Sequence, residues 1–286
     1  MPNLRDIKRR IISIKKTQQI TKAMKMVSAS KLRRAQERII SLRPYSKKML
    51  EVVGSMALRV SESLHPLLQK GEGDIVELVV ITADKGLCGG FNNNIIKQAI
   101  KILEKYDYQN VNLTLLGRKG RDFFKKRKFS IRNIYVDFFA KLGYEHAVRI
   151  SNDIIKIYTE ERVERILLVY NEFRSAMSQA ITVEQLLPIV PMEIKEGESP
   201  IDFLYEPSRD EIFNELLPKH IEIQIYHALL ESSAAEYAAR MTAMDSASKN
   251  ASEMIENLTL KFNKARQSAI TKELLEVVAG AEALKG

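Results

Sequence analysis

The sequence predicts an α/β fold joined to a long coiled coil. The N- and C-terminal segments pair as an antiparallel two-helix coiled coil, and a small α/β domain is inserted between them. Three observations carry this reading: long terminal stretches free of helix breakers, a middle in which strand and helix patterns alternate, and an enrichment of small residues in the terminal stretches. The domain boundaries expected are 1–60 for the N-terminal helix, 70–207 for the α/β domain and 208–286 for the C-terminal helix.

From Asn3 to Arg43 there is neither Gly nor Pro. Leu4, Ile7, Ile11 and Ile14 follow 3,4 spacing, Gln18 and Thr21 continue the seam, and Ile20, Met24 and Val27 resume an apolar stripe. This pattern predicts one amphipathic helix on the order of 60 Å long, with a seam that turns polar midway.

In the middle, a buried strand is expected over 76–82, a helix over 92–106, a strand over 111–117 and a short helix over 118–128. A strand over 131–138, a helix over 145–161 and a strand over 164–173 follow, with edge strands over 181–189 and 201–206. Strand–helix alternation of this kind predicts a Rossmann-like layer with a largely parallel sheet.

From Lys219 to Ala279 no Gly or Pro intervenes, which as one helix spans on the order of 90 Å. Ser208 with Glu211 has the form of a capping box, Pro218 is an expected kink and Gly280 an expected stop. Between Ser232 and Ser252, 13 of 21 residues are Ala, Ser or Thr. The N-terminal helix has its own small set at Thr17, Thr21, Ala23, Ser28, Ala29 and Ser30. Small side chains let two helix backbones approach, and two such helices stiffen one another where one alone buries too little.

The net charge of +9 is concentrated at one end: residues 1–50 hold 15 Lys and Arg against two acids, Asp6 and Glu37. Such a block suits an acidic partner, although most charge runs are solvated faces. No stretch reaches the roughly 20 uninterrupted apolar residues of a membrane span, and no secretory signal is visible at the start. The single cysteine, Cys88, excludes an internal disulfide, and four scattered histidines offer no metal-ligand spacing.

ITADKGLCGGFN (81–92) follows a strand and opens a helix, the setting of a phosphate-cradling loop. It matches neither a dinucleotide-binding nor a Walker pattern, so a glycine-permitted tight turn is the better reading. Cys88 beside Lys85 and a helix N-terminus could be an activated thiol, but no histidine lies near it in sequence. A basic helix in a coiled coil also admits a DNA-binding regulator, although here the cations are interleaved with the seam instead of preceding it. Met24, Met26, Met241, Met244 and Met254 read first as core filling.

TQQITKAMKMVSASKLRRAQ (17–36), ITADKGLCGGFN (81–92), FLYEP (203–207) and FNKARQSAITKELLEVVAGAEAL (262–284) together resemble the gamma subunits of F-type ATP synthases, over essentially the whole chain. The resemblance implies a rotor shaft inside a hexamer of alpha and beta subunits, its α/β domain beside the epsilon subunit and the membrane c ring, one copy per complex. It implies torque transmission between the c ring and the catalytic beta subunits, with no catalytic site and no cofactor in this chain. Membrane contact is then made only through the complex, and no nucleic acid is bound.

Residue by residue, Lys22, Met24, Lys25 and Arg240 fall at positions resembling the family's coupling region, and Asp84, Lys85 and Cys88 in the segment near the beta lever loop. Arg266, Gln267 and Thr271 match polar contacts to a beta catch loop. Leu274, Leu275, Val277, Val278, Ala279 and Leu284 match a tip that rides in a hydrophobic bearing. Phe203, Tyr205 and Glu206 match the side facing the c ring and epsilon. The absence of a cysteine pair argues against thiol control of the chloroplast type. A start directly at the shaft helix favours a bacterial protein at the cytoplasmic face of the plasma membrane.

Overall fold

The computed structural model describes residues 4–57, 65–71, 73–161, 163–190 and 209–283, the side chains at 108, 209 and 210 excepted. Its elements are α1 (Leu4–Ala57), β1 (Ile75–Ile81), α2 (Phe91–Tyr106), β2 (Val111–Leu116), α3 (Arg118–Phe124), β3 (Ser130–Tyr135), α4 (Tyr144–Glu160), β4 (Val163–Phe173), β5 (Gln179–Leu187) and α5 (Arg209–Ala283). They divide into two units, Met1–Ser28 with Met241–Gly286, and Ala29–Arg240. Helices α1 and α5 contribute to both.

The sheet of the second unit has the order β3-β2-β1-β4-β5, with β1 to β4 parallel and β5 an antiparallel edge. Parallel strands are covered on both faces and so need continuous apolar runs. Leu78 to Ile81 of β1 and Leu113, Leu115 and Leu116 of β2 are fully buried. Glu77 interrupts the run at the centre of the sheet. It accepts hydrogen bonds from Thr114 Oγ1 at 2.6 Å and Arg132 Nε at 2.9 Å, and Arg132 reaches on to Glu161. Burial outweighs these partners and holds the Glu77 carboxyl above its ordinary range.

Within this unit, residues 228–236 of α5 are buried on every side. The small residues Ala228, Ser232, Ser233, Ala234 and Ala235 therefore serve a helix enclosed all round, as well as any single helix–helix seam. Glu231 ties the enclosure together: its carboxylate accepts from the Phe173 amide of β4 at 3.0 Å and pairs with Arg43 of α1 at 3.4 Å. Arg38 of α1 donates to the Leu142 carbonyl ahead of α4 at 2.9 Å, and Tyr144 of α4 packs edge-on against Tyr226 of α5.

In the first unit, Gln18 Nε2 donates to Ser252 Oγ at 2.5 Å, the Thr21 and Ser248 hydroxyls meet at 2.6 Å, and Lys25 Nζ donates to Asp245 Oδ1 at 2.5 Å. As α1 advances its α5 partner recedes, so the pair is antiparallel. Buried along the pair are Ile7, Thr21 and Ser28 of α1 and Met244, Ser248 and Ala251 of α5. From Ile270 to Ala283 every residue of α5 is exposed.

Two expectations are corrected, the stripe beyond Thr21 and the stop at Gly280. Ile20 and Val27 are 60% and 57% exposed and do not resume the stripe; the 3,4 register passes from Thr21 through Lys25 to Ser28 without a shift. Helix α5 is continuous through Pro218, where Leu217 and Ile221 are fully buried and their burial offsets the roughly 3 kcal/mol that an interior proline costs. Gly280 does not stop the helix, since glycine in a helix costs only about 1 kcal/mol. The edge strand expected over 201–206 and the capping residue Ser208 lie outside the described residues.

His220 of α5 is buried with its Nδ1 unpaired among the described residues, and burial lowers its imidazole from the ordinary value to about 4. An unfolded chain takes up this proton near pH ~6.5, so His220 stabilises the fold above that value, and this contribution is lost as the pH falls toward about 4. We expect His220→Gln to flatten the decline in stability between neutral and acid pH by up to roughly 3 kcal/mol. Denaturant midpoints of the two proteins across that range check this; parallel pH profiles contradict it.

Candidate functional site

The segment from Thr82 to Gly90 joins β1 to α2 at the point where the sheet order reverses, with β2 on one side of β1 and β4 on the other. In open α/β sheets ligands settle in such a crevice. Here the chain's own side chains fill it. Thr82 Oγ1 donates to the Leu116 carbonyl at 3.1 Å and accepts from the Gly120 amide at 2.8 Å. Gly117, at φ +97°, lies so close that an added Cβ would sit 2.1 Å from the Thr82 carbonyl oxygen.

Asp84 links the ends of three strands. Its carboxylate accepts from the Arg118 amide at the start of α3 and from the Asp137 amide beyond β3, each at 3.0 Å. Asn92, on the first turn of α2, accepts from the Ala83 amide at 2.9 Å and donates to Cys88 Sγ at 3.1 Å. Cys88 is thereby buried, and burial pushes its thiol up despite the nearby Arg240 guanidinium. As placed, it supports the loop from inside.

Arg240 of α5 closes the arrangement. Its guanidinium donates to the carbonyls of Gly86 and Lys85 and pairs with Glu236 one turn earlier at 2.6 Å. Both members of this ion pair are buried, and burial outweighs the Arg240 attraction to hold the Glu236 carboxyl above its ordinary range. The loop thus turns carbonyl oxygens toward a cation. That is the reverse polarity of a phosphate cradle, which offers amides to an anion.

What the loop presents outward is Lys85 and Leu87. Leu87 is 66% exposed and holds φ +62°, a conformation that branched and bulky residues rarely adopt. Sequence reasoning singled out its neighbours and missed Leu87. The only signal was a large apolar residue within a glycine-rich turn.

The remaining expected residues fall in separate places. Asp84, Lys85, Cys88 and Arg240 come together in the second unit. In the first, Lys22 is exposed, Met24 is half-buried and Lys25 pairs with Asp245, which is itself held below the usual carboxylate range by Lys25 and Lys249. Arg266, Gln267 and Thr271 are exposed about 30–40 Å further along α5, so they form no common site with Lys25. Thr271 Oγ1 donates back to the Gln267 carbonyl at 3.0 Å. Leu274, Leu275, Val277 and Val278 are exposed large apolar side chains, and Ala279 is exposed with them. Leu284, Phe203, Tyr205 and Glu206 lie outside the described residues.

Among the described residues no helix is long and apolar enough to cross a membrane. No group of three His, Cys, Asp or Glu side chains among them is placed to hold a metal ion.

A family model described as ATP synthase matches residues 3–284. Relatives similar over the full length of both chains include the ATP synthase gamma chain of Geobacter metallireducens, at 51% identity, and that of Anaeromyxobacter sp., at 50%. Among solved structures, a chain of the central stalk and c ring of Tetrahymena thermophila mitochondrial ATP synthase matches at 26% identity and a TM-score of 0.61, covering 80% of this chain and 99% of that one. A chain of the Euglena gracilis mitochondrial enzyme matches in fold at 20% identity and a TM-score of 0.70, covering 98% of this chain and 94% of that one. With a family model and relatives near half identity spanning the whole sequence, the chain belongs to the ATP synthase gamma-chain family.

Proposed function

We propose that this chain is the non-catalytic rotor of an F-type ATP synthase, carrying torque between a membrane c ring and the catalytic beta subunits. Full-length similarity to ATP synthase gamma chains is the observation that carries the reading. It is supported by an antiparallel helix pair with a polar seam and by the exposed apolar side chains of Ile270, Leu274, Leu275, Val277 and Val278. The relatives lend no support to a DNA-binding regulator.

In this reading the partners are an alpha/beta hexamer, an epsilon subunit and the c ring, with one copy of this chain per complex, peripheral to the cytoplasmic face of a bacterial plasma membrane. Lys22, Met24 and Lys25 of the first unit are contacts for the acidic beta lever, and so are Lys85 and Leu87 of the second. Charge attraction steers such a contact without fixing one geometry, which suits a surface that must pass three partners in turn. Asp84, Cys88 and Arg240 hold the loop that presents Lys85 and Leu87. Arg266, Gln267 and Thr271 offer exposed donors to a beta catch loop, and Leu274, Leu275, Val277, Val278 and Leu284 ride in an apolar collar. Phe203, Tyr205 and Glu206 face the c ring and epsilon.

The purified chain should hydrolyse no ATP, and should restore ATP-driven rotation when combined with alpha and beta subunits from which gamma has been removed. A single-molecule rotation assay reads this, and enzyme-like hydrolysis by the chain alone would overturn the assignment. Arg240→Ala strands Glu236 in the interior and releases the Lys85 and Gly86 carbonyls, so it should destabilise the full chain by about 3 kcal/mol, with part recovered by adding Glu236→Gln. Urea unfolding measures the stability change. In the assembled enzyme, ions pumped per ATP should fall more than hydrolysis does. Unchanged stability and coupling would show that Arg240 has no such role.

A further inference from the structure

Outside the surfaces assigned above, the second unit holds a cleft of about 420 Å³ between α1, α5 and the turn that leads into α4. We propose that it binds a small polyphosphate anion. The inference is independent of the rotor reading, because it rests on the walls of the cleft alone.

Lys31, Arg34 and Arg38 line one side, three and four residues apart, so one face of α1 carries all three. Lys141 closes the cleft from the turn before α4. Four cations therefore meet around one concavity, against a single acid, Glu145. That carboxylate sits in the first turn of α4, over Gly143, where it meets the positive end of the helix. One carboxylate shared with the helix end leaves the four cations of the cleft in excess.

Arg38 is pinned by its bond to the Leu142 carbonyl, which fixes a guanidinium at the wall. Lys31 lies 5.4 Å from the centre of the Tyr237 ring and is drawn only by the Glu236 carboxylate, which Arg240 already pairs; no described carboxylate lies within ion-pair distance of Lys31, Arg34 or Lys141. Like charges gathered in this way repel one another unless an anion joins them. Guanidinium forks match phosphate oxygens in pairs, and ammonium groups add point charge. The volume falls within the roughly 300–1,000 Å³ of small-molecule sites, and the apolar side chains of Ala35, Leu142 and Leu230 back it. A concave, backed cleft suits a compact multivalent anion better than an extended acidic peptide, which needs an open-ended groove.

The test is calorimetric titration of the full chain with pyrophosphate, tripolyphosphate and ATP, repeated on Arg34→Gln/Lys141→Gln. A control pair, Lys97→Gln/Lys101→Gln, removes two exposed cations of α2. One saturable site is expected, weakened about ten-fold or more by the cleft pair and less than about two-fold by the control pair. Tighter binding of ATP than of tripolyphosphate assigns a nucleotide, and the reverse assigns free polyphosphate; either supports the site. Absence of saturation, equal weakening by both pairs, or tighter binding of an acidic peptide of the same charge overturns it.

Discussion

The structure depends on a helix–helix contact built from hydroxyls where a coiled coil ordinarily uses branched apolar side chains. Thr21 against Ser248 and Gln18 against Ser252 satisfy each other's polar groups at the seam, and Thr21 also donates to the Gln18 carbonyl. Small buried groups let the two backbones run close, and the hydrogen bonds fix the antiparallel register that leucines would otherwise specify. The outer faces then need no continuous apolar stripe. Ile20, Met26, Val27, Met254 and Leu260 stand exposed on them as separate contacts.

The second unit solves a different problem with buried charge. A helix enclosed on every side has no water to meet its polar groups, so each must find a protein partner. Glu231 finds the Phe173 amide and Arg43, and Glu236 finds Arg240, which passes on to the loop carbonyls at Lys85 and Gly86. Buried ion pairs add little net stability, but removing one partner is costly, so the pair specifies one position of the loop against α5. The loop's outward residues, Lys85 and Leu87, are held by groups that themselves face inward.

Much of this was legible in the sequence. The strands and helices of the α/β domain fall within a few residues of their expected ends, because parallel strands must be apolar throughout and the helices between them are strongly amphipathic. The seam was followed correctly as far as Thr21 and then lost to Ile20 and Val27, since a reading by hydrophobicity moves to the nearest apolar residue when the true register turns polar. Gly280 looked like a stop because local propensity was weighed alone, whereas one glycine costs a long helix only about 1 kcal/mol. The roles of Asp84, Asn92 and Arg240 were hidden for another reason. Their partners, Arg118, Asp137, Cys88 and the Gly86 carbonyl, come together only through the crossovers of the sheet and the return of the last helix. Leu87 was invisible because its distinction is a backbone angle.

The central claim is that the two terminal segments are hydrogen-bonded across Thr21 and Ser248 and move as a single body. The most direct measurement is an engineered disulfide at that contact, Thr21→Cys with Ser248→Cys, oxidised in the assembled enzyme and followed by single-molecule rotation. The account predicts that the bond forms readily and leaves rotation and torque intact, since the segments never need to slide past each other. Failure of the pair to cross-link, or arrest of rotation once it has done so, would contradict it.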